Sequence, residues 1–450
     1  MAPPGDDNSD AGKVWWAEYA LLPGGLVRGC RIEVAGGRFT RVLPGGHVDG
    51  ATRLPGVVLP GFANAHSHAF HRALRGRTHD GGGSFWDWRE QMYAVAARLD
   101  PDAYLRLARA AYAEMALAGV TAVGEFHYLH HGPDGRAYDA PNVMSDALAQ
   151  AAAEAGVRLS LLDVCYLSGG LSAQGARMPL AGVQRRFADA DADRWAARVT
   201  SWRPAAGVTV GAAIHSVRAV PREALPAVVS ASRGRPLHVH LSEQPVENAA
   251  CQAAYGLSPT AVLAAAGALG VQSTAVHATH LSAGDVALLG ASRTTVCLCP
   301  STEADLADGI GPARELVDAG SPLALGSDQH VRTDLMAEAR SLEAHERLRS
   351  WRRGRFRPAE LVAALGAHGC LGVADAGSIA VGARADLVAV RLDSVRTAGI
   401  DPAQVVLTAS AADIDTVLVD GNLIVAGGVH VLGDVAALLR AAIEPLWTSR

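Results

Sequence analysis

The sequence predicts an α/β fold: a (β/α)8 barrel of the TIM type, beside a small β-sandwich formed by both chain ends. Three observations predict it. Short apolar segments ending in polar residues recur eight times, with helix-like Ala/Leu/Arg stretches between them. Histidines and acids collect at the C-terminal ends of those segments, where barrels carry their chemistry. Two flanks, residues 14–56 and 377–432, hold β-like runs with glycine turns that fit no barrel strand. The expected organisation is 1–56 as the first part of the sandwich, 57–376 as the barrel, and 377–450 as the rest of the sandwich with a terminal helix.

In chain order, GGLVRGCRIEVAGGRFTRVLPGG supplies the first sandwich strands. The eight barrel segments follow at 57–68, 120–126, 157–166, 208–216, 236–243, 273–280, 294–301 and 322–328. Asp100-Pro101 predicts a helix start, an N-cap followed by proline at the first helical position, and Gly119 closes that helix. Ser258-Pro259 predicts a second start of the same kind. The runs GSIAVGARADLVAVRL and DTVLVDGNLIVAGG read as antiparallel strands returning to the sandwich.

Composition excludes several classes. A net charge of -5 gives no basic excess for nucleic acid or an anionic membrane. Charged residues at 19% and apolar residues at 49% exclude global disorder. The apolar run at 261–271 is too short to span a bilayer. The N-terminus lacks a charged-then-apolar signal pattern, so a cytoplasmic location is expected. Six cysteines without CxxC spacing are read as buried thiols, Cys297 and Cys299 facing one side of a strand. Lys13 is the one lysine among 40 basic residues, which removes Schiff-base and carbamate chemistry.

His66 and His68 alternate at the end of the first segment and so face the barrel mouth together. The fifth segment adds His238, His240 and Glu243, and the eighth ends in Asp328. Three imidazoles and a carboxylate make an open four-ligand metal site. A lone HxH pair is weak grounds for a metal. Four such groups on three strand ends are strong grounds. His238 points the same way as His240, one pleat deeper, and is the rival ligand.

LPGFANAHSH, HVHLSE, VHATHL, the GSD closing the eighth segment and the late GSIAVGARADLV resemble the amidohydrolase superfamily. The resemblance covers residues 14–440. It implies His66, His68, His240 and Asp328 as metal ligands and one divalent ion, for which Zn2+ is the expected metal and iron and manganese are the alternatives. Dinuclear members bridge two ions with a carbamylated lysine on the fourth strand, and VTVGAAIHSV has none. The resemblance further implies Asp328 as base toward the attacking water, Glu243 as proton shuttle to the substrate nitrogen, and His277 as the group that polarises the attacked centre or steadies the metal-bound water.

HSHAFHRALRGRTHDGGGSFWDWREQMY, GEFHYLHHGPDG and IHSVRAV are similar to the branch of deiminases acting on a linear formimino dicarboxylate. This implies substrate contacts from Arg89, Tyr128, His215, Arg218 and His71, the last standing where the branch carries glutamine. Arginine forks suit carboxylates, and Phe85, Trp86 and Trp88 are expected to hold Arg89 rigid. The expected partner is therefore a small dicarboxylate, in a homodimer with no nucleic acid or membrane. The competing expectation is a guanine- or cytosine-type aminohydrolase, whose neutral base needs neither arginine.

Overall fold

The computed structural model describes residues 12–79 and 85–448, without the side chains of Phe85 and Trp86. Eight parallel strands run in chain order through one sheet: Phe62–Ser67, Val120–His127, Arg158–Cys165, Val208–Ile214, Leu237–Leu241, Ser273–His277, Thr295–Leu298 and Leu323–Leu325. Each expected segment contributes one. Most are apolar and buried along their length because helices cover the outer face and side chains fill the inner one. Asp100 caps the helix Pro101–Leu117 by accepting from Ala103 N, and Ser258 caps Pro259–Ala265 by accepting from Ala261 N.

The first segment differs from its expected extent. Residues 57–60 end the strand Thr52–Pro60, which belongs to the second sheet, and the barrel begins at Phe62. The chain changes sheets at Pro60-Gly61, where proline cannot donate and Gly61 N–H donates to Asp386 O at 3.1 Å. A side chain at Gly61 would meet Thr121 Oγ1 at 2.4 Å, so only glycine fits the crossing.

The barrel closes between its first and eighth strands. Ser67 and Asp328 form a parallel bridge. The N–H groups of Ser327 and Asp328 donate to His66 O at 3.1 and 3.0 Å, and His68 N–H donates to Asp328 O at 3.2 Å. Asn64 supports the join from below, exchanging bonds with Ser327 Oγ at 2.7 Å and Ser327 N at 2.9 Å.

The two flanks form one eight-stranded sheet in which Lys13–Leu22 and Thr52–Pro60 lie next to Leu387–Val390 and Ile414–Val419. The edge strand Arg38–Pro44 curls back so that Phe39 N–H donates to Ala383 O at 3.0 Å. This folds the sheet over a core of Trp15, Ile32, Phe39, Leu54 and Leu387. The Asp420-Gly421 turn, with φ of 47° and 71°, pairs Ile414–Val419 with Asn422–Ala426. The terminal helix runs Val435–Trp447. Lys13 is exposed in this sheet and donates to Gly421 O at 3.2 Å. Among the described residues, no helix is long and apolar enough to cross a membrane, and all six cysteines are free and buried.

Arg158, at the start of the third barrel strand, ties barrel to sheet. Its guanidinium reaches Asp386 at 2.6 and 3.2 Å and Asp420 at 2.8 Å. Arg158 and Asp386 are both buried, so removing one partner strands the other charge. Asp386→Ala is expected to cost about 3–5 kcal/mol of stability, read as a lowered midpoint in urea or thermal unfolding.

Candidate active site

His66, His68, His240 and Asp328 meet at the barrel mouth, each offering one ligand atom within 4.8 Å of the others. His66 Nε2 and His68 Nε2 lie 3.4 and 3.3 Å from Asp328 Oδ1. His66 Nε2 and His240 Nε2 face each other at 3.1 Å. His68 Nδ1 is 3.0 Å from Phe126 O, so Nδ1 carries the proton and Nε2 presents a lone pair inward. Burial pushes His66 down to about 3 and His240 well below its usual value, so both rings are neutral. Burial acts to raise Asp328, but the His66 and His68 rings beside it win and hold it well below the usual carboxylate range. Neutral imidazole nitrogens crowding one point beside an ionised carboxylate fit a divalent cation.

His238 is buried with Nε2 on Cys370 O at 2.9 Å, outside this group. His277, Cys299 and Asp328 also bring ligand atoms within 4.8 Å of one another, but they share Asp328 with the first set. The barrel's fourth strand carries no lysine. Ser242, His277 and Asp328, at the ends of the fifth, sixth and eighth strands, have φ of 51°, 67° and 42°. Such left-handed backbone in non-glycine residues costs energy and clusters where side chains must be aimed.

Glu243 Oε1 lies 3.7 Å from His277 Nε2, which is 3.8 Å from Asp328 Oδ2. On the other side of that ring, Nδ1 faces Glu303 Oε1 at 3.5 Å. Burial acts to lower His277, but Glu243, Glu303 and Asp328 hold it well above its usual value. Glu303 escaped the sequence analysis, since an isolated acid after Cys299-Pro300 reads as a solvated first-turn residue. Here it is buried and accepts from Cys299 N at 2.8 Å. Glu125 lies behind the group rather than in the cavity. It accepts from Ser67 Oγ at 2.8 Å and Ala69 N at 2.7 Å, and burial pushes it up to about 7.

A cleft of about 720 Å³, counting space open to solvent, leads from this group to the surface. Its lining includes all five expected substrate contacts: His71, Arg89, Tyr128, His215 and Arg218. His71 Nε2 and Tyr128 Oη are 2.8 Å apart. The His215 ring packs edge-on against Tyr166 at 4.7 Å between centroids. Arg218 Nε lies 3.7 Å from Glu247 Oε1, and the acids at 247 and 243 hold its pKa up against burial. Arg89 has a further aromatic neighbour on its own helix, Tyr93. Its guanidinium sits 5.3 Å from the Tyr93 ring, one helical turn on, while Trp88 lines the cleft. Phe85 and Trp86 have side chains outside the described residues. Tyr93, Tyr166, Phe187 and Glu247 were missed, because single aromatics and acids between motifs carry no spacing signal.

The amidohydrolase family model matches residues 57–424. The chain is 40% identical over 389 residues to a formimidoylglutamate deiminase of Pseudomonas aeruginosa, covering 83% of this chain and 85% of that protein. An 8-oxoguanine deaminase of the same species is 32% identical, with 87% of each covered. Among solved structures, an amidohydrolase from Brucella melitensis superposes with a TM-score of 0.88 at 31% identity, covering 97% of this chain and 100% of that one. A zinc complex of an atrazine chlorohydrolase from Arthrobacter aurescens shares the fold, with a TM-score of 0.85 at 21% identity over 96% of this chain and 99% of that one.

The geometry predicts metal content directly. Elemental analysis is expected to give one tightly held equivalent per chain. His240→Ala should lose it, and His238→Gln, which keeps a donor toward Cys370 O, should retain it.

Proposed function

The chain belongs to the amidohydrolase family, and from that premise we propose that it hydrolyses N-formimino-L-glutamate to N-formyl-L-glutamate and ammonia, a step of histidine degradation. The observation that carries this reading is the pairing of a three-histidine, one-aspartate group with two arginines on one cleft, in a chain 40% identical to a formimidoylglutamate deiminase.

His66, His68, His240 and Asp328 would hold one divalent ion, which we assign as zinc, and that ion supplies a Lewis acid that makes water nucleophilic near neutral pH. The chain's own residues do the rest. Asp328, ionised beside His66 and His68, accepts the proton of the attacking water. Oxygen bonds to the formimino carbon, and the carbon–nitrogen bond to the terminal nitrogen then breaks. The added hydroxyl gives up its remaining proton as the C=O bond forms, and Glu243 relays both water protons to that nitrogen, which leaves as ammonia. Glu303 at Nδ1 holds His277 so that Nε2 faces Glu243 and Asp328, next to the oxygen that gains charge.

Arg89 and Arg218 bind the two carboxylates, with Tyr128, His71 and His215 completing that end. Each charge-assisted bond contributes about 1.5–3 kcal/mol. The similarity to an 8-oxoguanine deaminase supports a second reading, a neutral purine as substrate. A purine carries no carboxylate for the two arginines to bind.

The metal-loaded protein is expected to release ammonia from N-formimino-L-glutamate. Arg89→Met and Arg218→Met should each raise KM about tenfold or more. Glu243→Gln should lower kcat by about 10²–10⁴-fold with the metal retained. Full activity in both arginine variants would favour the neutral base.

A further inference from the structure

The wall of the cleft that carries Arg89 and Arg218 contains two phenols that the mechanism above does not use. Tyr93 lies on the helix Phe85–Arg98, and Tyr166 follows the third barrel strand. Both line the cleft beside Arg89, Arg218 and His215. Behind them sits the buried side chain of Gln184, in the turn Gly182–Arg186. Gln184 Oε1 accepts from Ala181 N at 3.0 Å, which fixes which end of the amide is oxygen. Its Nε2 then lies 3.1 Å from Tyr93 Oη, 3.0 Å from Tyr166 Oη and 3.3 Å from Gly169 O.

An amide nitrogen donates and does not accept. Neither phenol can turn its hydrogen toward Gln184, so each presents its O–H elsewhere, and the open side is the cleft. Burial keeps Tyr166 protonated, so it remains a donor. The turn itself is pinned. Arg186 donates from Nε to His131 O at 2.9 Å, from Nη1 to Ala96 O at 2.5 Å and from Nη2 to Leu99 O at 2.7 Å. That guanidinium joins the helix of Arg89 and Tyr93 to the loop of Tyr128.

We propose that the hydroxyls of Tyr93 and Tyr166 donate to a carboxylate of the substrate, and that Gln184 is the positioning residue that aims them. This rests on the dicarboxylate reading above. It explains why a glutamine is buried behind two tyrosines where an apolar side chain would fill the space. The phenols add two neutral donors to the arginines' charges, so the cleft recognises carboxylate oxygens by direction as well as by sign.

The test is binding of glutarate to the metal-loaded protein by calorimetry, with butyrate as the monocarboxylate control and thermal melts to establish folding. Tyr93→Phe and Tyr166→Phe are each expected to weaken glutarate about tenfold, and Gln184→Leu by a similar factor. Adding Gln184→Leu to the double Phe variant should change nothing further, because its effect runs through the phenols. Unchanged glutarate affinity in both Phe variants overturns the proposal, as does a Gln184→Leu effect that adds in full to theirs. Turnover of N-formimino-L-glutamate by the wild type is scored separately. Turnover with unchanged Phe variants sinks this inference alone, and weakened glutarate binding without turnover sinks the reaction alone.

Discussion

The structure depends on the seam between the first and eighth barrel strands. The peptide groups of His66, Ser67, His68, Ser327 and Asp328 close the barrel by hydrogen bonding, and the side chains of three of those residues supply three of the four members of the ligand group. Barrel closure therefore sets three of the four ligand residues side by side. Gly326 shows how tight the join is, since a side chain there would meet His66 Cβ at 2.8 Å and Cys299 Sγ at 3.0 Å. The left-handed φ of Asp328 is stabilised by the same contacts.

Around the seam, charge is arranged in opposition. Acids flank His277 on both sides, and an acid backs Arg218. The outer wall is aromatic and holds Arg89 over the Tyr93 ring, with Arg218 backed by Glu247. In the proposed binding mode, the substrate's reactive end lies at the histidine–aspartate group and its anionic end meets the arginines of the wall. Preorganised donors and charges of this kind favour binding because few side chains need ordering when the ligand arrives.

Much of this was legible in the sequence, for physical reasons. Strand ends were visible because parallel barrel strands are apolar throughout and then stop at a polar residue. His66 and His68 were visible because a two-residue period puts both on one face. His238 shows the limit of that rule. It shares the face of His240, and only the depth of the barrel decides that it meets Cys370 O instead of the ligand group. Phase alone does not give depth. Glu303, Gln184 and Glu247 were illegible because their roles come from burial against distant segments, 26 residues away for Glu303 and His277. Residues 57–60 were assigned to the barrel because an apolar run does not reveal where the chain changes sheets.

The central claim is that a barrel seam built for hydrolysis faces a wall built for two carboxylates. The most direct measurement is the ratio of kcat/KM for N-formimino-L-glutamate to that for guanine, on one metal-loaded preparation. Two charge-assisted carboxylate contacts predict a preference for the formimino dicarboxylate of about 10²–10⁴-fold. An equal or reversed ratio would contradict the account.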